Sequence, residues 1–270
     1  MTTEGGTGYP QLTRNTVVRR KPRGHYDYKT IHEIVNTSKA LQVTFKTTDP
    51  EDPFPAMLPM IGFMASYSSP DSTVSDPLDL YLHGYISSRL MRLGAAFEGG
   101  HEGFPITIGA THLDGLVLAL TPNNHSYNYR SAVLHGYASP VTDPNEKIWA
   151  MERITNSVVS ERWDNTRVPP TKTEMTSTQI LKVSIVTASA KIRSGGPSDD
   201  RADMKNDELR SRVWTGVIPS WTAFGEPIPG TENTVRTVPA HVADFIRKEN
   251  RVREGNAVAS VSGQPLGYDS

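Results

Sequence analysis

The chain has 270 residues, a formal net charge of −1 and no cysteine, enough length for one elaborated domain with a real core and no electrostatic reason to expect nucleic acid or an anionic membrane as partner. Without cysteine there is no disulfide framework, thiolate nucleophile or thiolate metal ligand. No apolar run approaches the roughly 18 residues of a membrane span, and Met1 to Gly8 is polar and glycine-rich where a secretory signal needs an apolar stretch, so the expected location is cytoplasmic.

Residues 1–24, rich in Thr, Gly and Arg, read as a mobile arm. Asp27 is placed to cap a helix from Tyr28 to Thr37 whose apolar stripe is Ile31, Ile34 and Val35. Inside it His32-Glu33 begins a zinc-protease pattern, but Asn36 stands where the second histidine is needed, so the zinc reading fails. Period two from Ser38 to Lys46 puts Leu41, Val43 and Phe45 on one face of a strand. Ala56 to Ser66 reads as a second strand, which Pro59 confines to an edge or a bulge. Leu78 to Gly84 is the third, with Leu80 and Leu82 on one face and Tyr81 and His83 on the other, offered to a ligand.

That strand runs through Ser87 and Ser88 into a short helix carrying Arg89 and Arg92 three residues apart. Serine hydroxyls, first-turn amides and guanidinium groups on one side of a helix suit an anion; the competing reading is an ordinary helix start with solvated arginines.

Residues 104–120 read as a hairpin turned at Asp114-Gly115, and a further strand continues to Val141. Asp143-Pro144-Asn145-Glu146 opens the clearest helix, with Ile148, Met151, Ile154, Val158 and Trp163 near helical spacing. Gln179 to Arg193 is the last long strand, and Trp214 to Pro219 is a short apolar island. A proline-rich extended segment leads to a short helix near 239–248, and a polar tail is expected to be disordered. Six or seven antiparallel strands with one substantial helix make the chain mainly β, a closed or split β-barrel with peripheral helices rather than a parallel sheet. The division expected is an arm over 1–24, the barrel domain over 25–225, and a C-terminal segment over 226–270.

Tyr81-Leu82-His83-Gly84 running into Ser87-Ser88-Arg89, then Leu113-Asp114-Gly115, Tyr129-Arg130-Ser131, Glu146-Lys147, Ser189 to Arg193 and Trp214 to Pro219 form an ordered set. The set resembles the flavin-nucleotide-binding, nitroimidazole-resistance-like branch of the pyridoxamine 5′-phosphate oxidase-like superfamily over roughly residues 25–225. The resemblance implies an FMN-binding split β-barrel that forms a homodimer, with the flavin in a groove between the chains. It implies that Ser87, Ser88 and Arg89, with Arg92 close by, hold the phosphate, that Tyr129, Arg130 and Ser131 line the groove, and that His83 stands near the cofactor as the catalytic candidate.

The superfamily's best-known enzyme has a lysine after its serine-arginine pair and another ending the preceding strand. Here those places hold Leu90 and an uncharged run around Met60, and the C-terminal tryptophan-arginine pattern that reads pyridoxal phosphate is absent, which speaks against vitamin B6 oxidation. The activity implied is reduction of a small electrophile, a nitro compound or activated alkene, with NAD(P)H as a transient donor because no dinucleotide fingerprint is visible. The alternatives are a haem-binding split barrel with a histidine axial ligand, and a non-catalytic flavin-binding or structural dimer.

Bland roles compete for the remaining residues. Arg130 suits a strand-edge ion pair as well as a cofactor contact, and Tyr129 suits the core or an interface. His125 and His135 are expected to satisfy backbone partners, Lys191 to be solvated or at an interface, and Trp214 to pack across the barrel or a dimer seam. No residues show the spacing of a hydrolytic triad or of zinc ligands.

Overall fold

The computed structural model describes residues 6–96 and 103–263. In chain order the elements are β1 (Gly24–His25), α1 (Tyr28–Thr37), β2 (Leu41–Phe45), β3 (Ala56–Met60), β4 (Gly62–Ala65), β5 (Asp79–Tyr85) and α2 (Arg89–Ala96). They continue with β6 (Phe104–Leu118), β7 (Ser126–Pro140), α3 (Pro144–Val158), α4 (Lys172–Ser177), β8 (Thr178–Arg193), α5 (Asp207–Arg212), β9 (Gly216–Pro219) and α6 (Ala240–Ser262). Nine strands form one sheet in the order β3-β2-β6-β7-β8-β5-β4, with β1 added on β8 and β9 on β6. The fold is a mainly antiparallel, open and curled sheet of the split-barrel kind.

The curl follows from connectivity. Only Ile61 separates β3 from β4, yet these strands terminate opposite ends of the sheet order. The two ends therefore meet at Ile61, whose carbonyl accepts from the His83 amide at 3.4 Å. Pro59 sits on the terminal strand β3 opposite Gln42, where its missing amide costs no inner ladder bond.

The chain divides into two compact units, residues 1–111 with 131–190, and residues 112–130 with 191–270. In the first, Leu41, Val43 and Phe45 of β2 and Leu80 and Leu82 of β5 are buried. Asp27 caps α1 by accepting from the Thr30 amide, and Ile31, Ile34 and Val35 are completely covered. Tyr81 is not offered to a ligand: it packs with Ile180, Val141, Ala150 and Ile154, its ring meets Trp149 edge-on at 5.3 Å, and its hydroxyl donates to Glu146 at 2.7 Å. Both faces of β5 are thus covered at Tyr81, and only His83 remains exposed among the ligand-facing pair. Glu146, in the first turn of α3, serves Tyr81 and Lys182, while Asp143 caps the helix through the Asn145 amide. α3 ends at Val158, short of Trp163.

Residues 6–24 are not a loose arm. Tyr9 is buried, its amide donates to the Tyr26 carbonyl at 2.8 Å, and its hydroxyl bonds His32 Nε2 at 2.7 Å. Asn15 fixes the next turn, donating to Pro10 O at 2.9 Å and Ala188 O at 2.8 Å while accepting from the Leu12 amide at 2.7 Å. Residues 1–5 lie outside the described residues.

The second unit overturns further expectations. β6 runs straight through Asp114-Gly115, and the reversal comes instead between Leu118 and Ser126. Asp114 does not turn because its carboxylate is held by Arg130, and a Cβ on Gly115 would lie 3.2 Å from Ile218 O, so the glycine admits β9. α6 continues fourteen residues beyond the expected end near Lys248, to Ser262. Phe245, Asn256, Ala257 and Ser260 form its buried side, the Ser260 carbonyl accepts from Asn128 and from the Gly195 amide, and Asn250 brackets Phe224 by bonding both its N–H and its C=O. The expected disordered tail is helical as far as Ser262, and residues 264–270 lie outside the described residues. Trp214 does not pack across a barrel; it is 65% exposed and lies over Gly216. No described helix is long and apolar enough to cross a membrane.

Candidate functional site

β5 ends at Tyr85 and the chain turns: the Ile86 amide donates to Ser177 O at 2.9 Å and the Ser88 amide to Tyr85 O at 2.9 Å. Ser88 then starts α2, its carbonyl accepting from the Arg92 amide at 3.0 Å. Leu90 and Met91 are fully buried and fix how α2 sits, which turns Arg89 and Arg92 outward, where both are exposed. Among the described residues neither arginine pairs with a carboxylate; Arg89 Cζ instead lies 5.7 Å from the Phe45 ring centroid. Among the described residues the hydroxyls of Ser87 and Ser88 bond no protein group, and the first-turn amides of a helix have no intrahelical partner. One short turn therefore holds two unspent hydroxyls, two unspent guanidinium groups and the positive end of a helix, the donor set that a phosphate monoester needs.

His83 stands four residues before Ser87 with an exposed side chain. Desolvation by surrounding atoms lowers its pKa from the ordinary histidine value, which favours the neutral ring at pH 7. Neutral imidazole carries one donor and one acceptor.

On β7, Tyr129 and Ser131 are half-buried on the face opposite Arg130. Arg130 itself points inward and is 4% exposed. Its Nε and Nη2 donate to the two carboxylate oxygens of Asp114 at 2.9 and 2.8 Å. The ion pair envisaged for Arg130 exists, but in the interior and not at a strand edge. Tyr129 and Arg130 belong to the second compact unit, whereas Ser131, His83 and the Ser87–Arg92 turn belong to the first.

Three other histidines, His125, His135 and His32, are employed locally. His125 Nδ1 accepts from the Ala119 amide at 2.9 Å, a backbone partner as expected. His135 Nδ1 meets a side chain instead, the Thr107 hydroxyl, at 3.0 Å. His32 is held at both ring nitrogens, by Tyr9 and by Val74 O at 2.9 Å. Among the described residues no three His, Asp or Glu side chains gather as a metal would require. Sequence reasoning missed the inward role of Arg130, because a strand pattern does not say which distant carboxylate shares its face.

Residues 27–192 match the pyridoxamine 5′-phosphate oxidase family over more than half of the chain. The chain belongs to that family. Among solved structures it is similar to the flavocytochrome Anf3 from Azotobacter vinelandii, with 25% identity, a TM-score of 0.69, and coverage of 87% of this chain and 97% of that one. It is also similar to an FAD- and haem-binding protein from Mycobacterium smegmatis, with 22% identity, a TM-score of 0.66, and coverage of 83% and 97%. No curated protein matches the sequence.

Proposed function

We propose that this family member is a flavin-dependent oxidoreductase in which the Ser87–Arg92 turn holds the flavin's phosphate. The observation behind the reading is the donor set of that turn: two hydroxyls and two guanidinium groups that, among the described residues, bond no acceptor, beside a helix start. Ser87 and Ser88 donate to phosphate oxygens, Arg89 and Arg92 neutralise its charge, and Leu90 and Met91 keep the helix start in place from below. His83 presents a neutral N–H or ring nitrogen on the strand leading into the anchor, suited to hydrogen-bonding a ring carbonyl or nitrogen without adding charge. Tyr129 and Ser131 line the groove in the dimer, and Arg130, committed to Asp114, holds the strand in register instead of touching the ligand. When bound, FMN supplies two-electron hydride chemistry between NAD(P)H and a small electrophile such as a nitro compound or activated alkene.

The test is reconstitution. Protein incubated with FMN and desalted is expected to retain a flavin absorption band near about 450 nm, to oxidise NAD(P)H when a nitroaromatic is supplied, and to sediment as a dimer. Protein that stays colourless contradicts the flavin assignment; coloured but monomeric protein contradicts the between-chain groove. A second reading adds haem, because the similarity to a flavocytochrome extends over 87% of the chain, beyond the 27–192 match. A Soret band after haem addition that is lost in His83→Ala supports His83 as an axial ligand, and its survival assigns the ligand elsewhere.

A further inference from the structure

A second cleft in the first compact unit, independent of the flavin reading, carries chemistry of its own. It measures about 270 Å³, at the small end for organic ligands, and Arg14, Thr44, Lys46, Thr107, His135 and Tyr137 supply its polar wall. Pro55, Pro105 and Val186 add an apolar side, and among the described residues no carboxylate lines it. Arg14 and Lys46 arrive from segments 32 residues apart, and neither forms an ion pair among the described residues. In a folded surface of near-neutral charge, two unspent cations facing one cavity are the pattern of an anion site, not of a solvated face.

The cleft is built. Arg14 lies in the turn that Asn15 locks to the barrel, through its three hydrogen bonds to Pro10 O, Ala188 O and the Leu12 amide. Ala188 is two residues along β8 from Val186, which lines the cavity. Thr44 of β2 stands directly opposite Thr107 of β6, and Thr107 fixes the His135 ring through Nδ1 at 3.0 Å. His135 Nε2 is left for a ligand. Burial, and then the charge of Arg14, lower the His135 pKa and favour the neutral ring, so the positive charge of the cleft comes from Arg14 and Lys46.

We propose that this cleft binds a small organic oxyanion, its carboxylate or phosphate between Arg14 and Lys46 and its apolar body against Pro55 and Val186. Guanidinium and ammonium supply charge-assisted donors, the threonine hydroxyls and the His135 ring complete the shell, and two cations with no acid beside them among the described residues favour an anion over a cation. The site is distinct from the Ser87–Arg92 turn, although Phe45 touches both: it lines the cleft and lies beneath Arg89.

The experiment is an NMR titration of the full chain that follows the His135 ring resonances at constant pH, with inorganic phosphate in one arm and acetate in the other. Saturable shifts of the His135 signals are expected in at least one arm, and which arm binds tighter names the headgroup. Arg14→Gln with Lys46→Gln, both exposed positions, is expected to weaken the response about tenfold or more. Arg92→Gln is expected to leave it unchanged. The proposal is overturned if neither anion shifts His135, if the double variant responds like the parent, or if Arg92→Gln abolishes the response, since the signal then reports binding at the other turn.

Discussion

Arg89 and Arg130 differ in everything but side-chain type. Arg89 starts a helix at the surface, its guanidinium free of any carboxylate. Arg130 is enclosed, with a two-point bond to Asp114, and both side chains are about 95% covered. A buried guanidinium is tolerable only when its charge is answered inside the protein, whereas an exposed one keeps its charge for a ligand. Of these two arginines, both nominated by the family pattern, Arg130 therefore holds the fold, and Arg89 is the one proposed for the ligand.

The largest effect expected from this contrast is on Arg130. Arg130→Ala leaves the Asp114 carboxylate buried without its partner and is expected to cost about 3–5 kcal/mol of stability, read by urea unfolding. Replacing both residues by apolar side chains of similar size costs less, because no charge is stranded. An Arg130→Ala protein as stable as the parent, but unable to bind flavin, erases the contrast.

Next in size is a pH effect from another enclosed group. His32 is pushed from 6.5 down to about 4, first by burial, with the Val74 hydrogen bond and the Asp27 charge opposing. Tyr9, Tyr28 and Val74 face the ring. Between these two values the unfolded chain binds a proton that the folded one refuses, so stability falls as the pH drops from about 6.5 to about 4, by up to tenfold in the folded-to-unfolded ratio per unit, and this contribution levels off below. His32→Gln is expected to flatten that stretch of the stability profile; an unchanged slope assigns it to other groups.

The sequence showed α1 to the residue, because Asp27 and the stripe of Ile31, Ile34 and Val35 are local signals. It showed the alternation of β2 for the same reason. It misplaced the reversal after β6, since Asp-Gly is a turn signal unless a distant arginine claims the aspartate. It shortened α6 because Gly255, Asn256 and Ser260 dilute the apolar stripe, and the partners of the Ser260 carbonyl, Asn128 and Gly195, lie far away in sequence. The Ser87–Arg92 turn was legible, as its donors are adjacent in sequence. The Arg14 and Lys46 cleft was not, as nothing local links an N-terminal turn to the end of β2.

Smaller effects sharpen the same distinction between spent and unspent groups. Tyr81→Phe removes one buried hydroxyl from Glu146, which keeps Lys182 at 3.1 Å, and is expected to cost about 1 kcal/mol by thermal melting. Arg89→Ala, whose one internal contact among the described residues is the Phe45 ring, is expected to change stability by no more than about 0.5 kcal/mol. A large loss there shows that α2 depends on the Phe45 contact.

The central claim is that the exposed turn serves a phosphate, and the most direct test is an FMN titration of folded Arg89→Ala beside the parent protein. Losing one charge-assisted phosphate contact is expected to weaken binding by about 1.5–3 kcal/mol with the melting curve unchanged. Equal FMN affinity in the two proteins contradicts the assignment of the Ser87–Arg92 turn as the anchor.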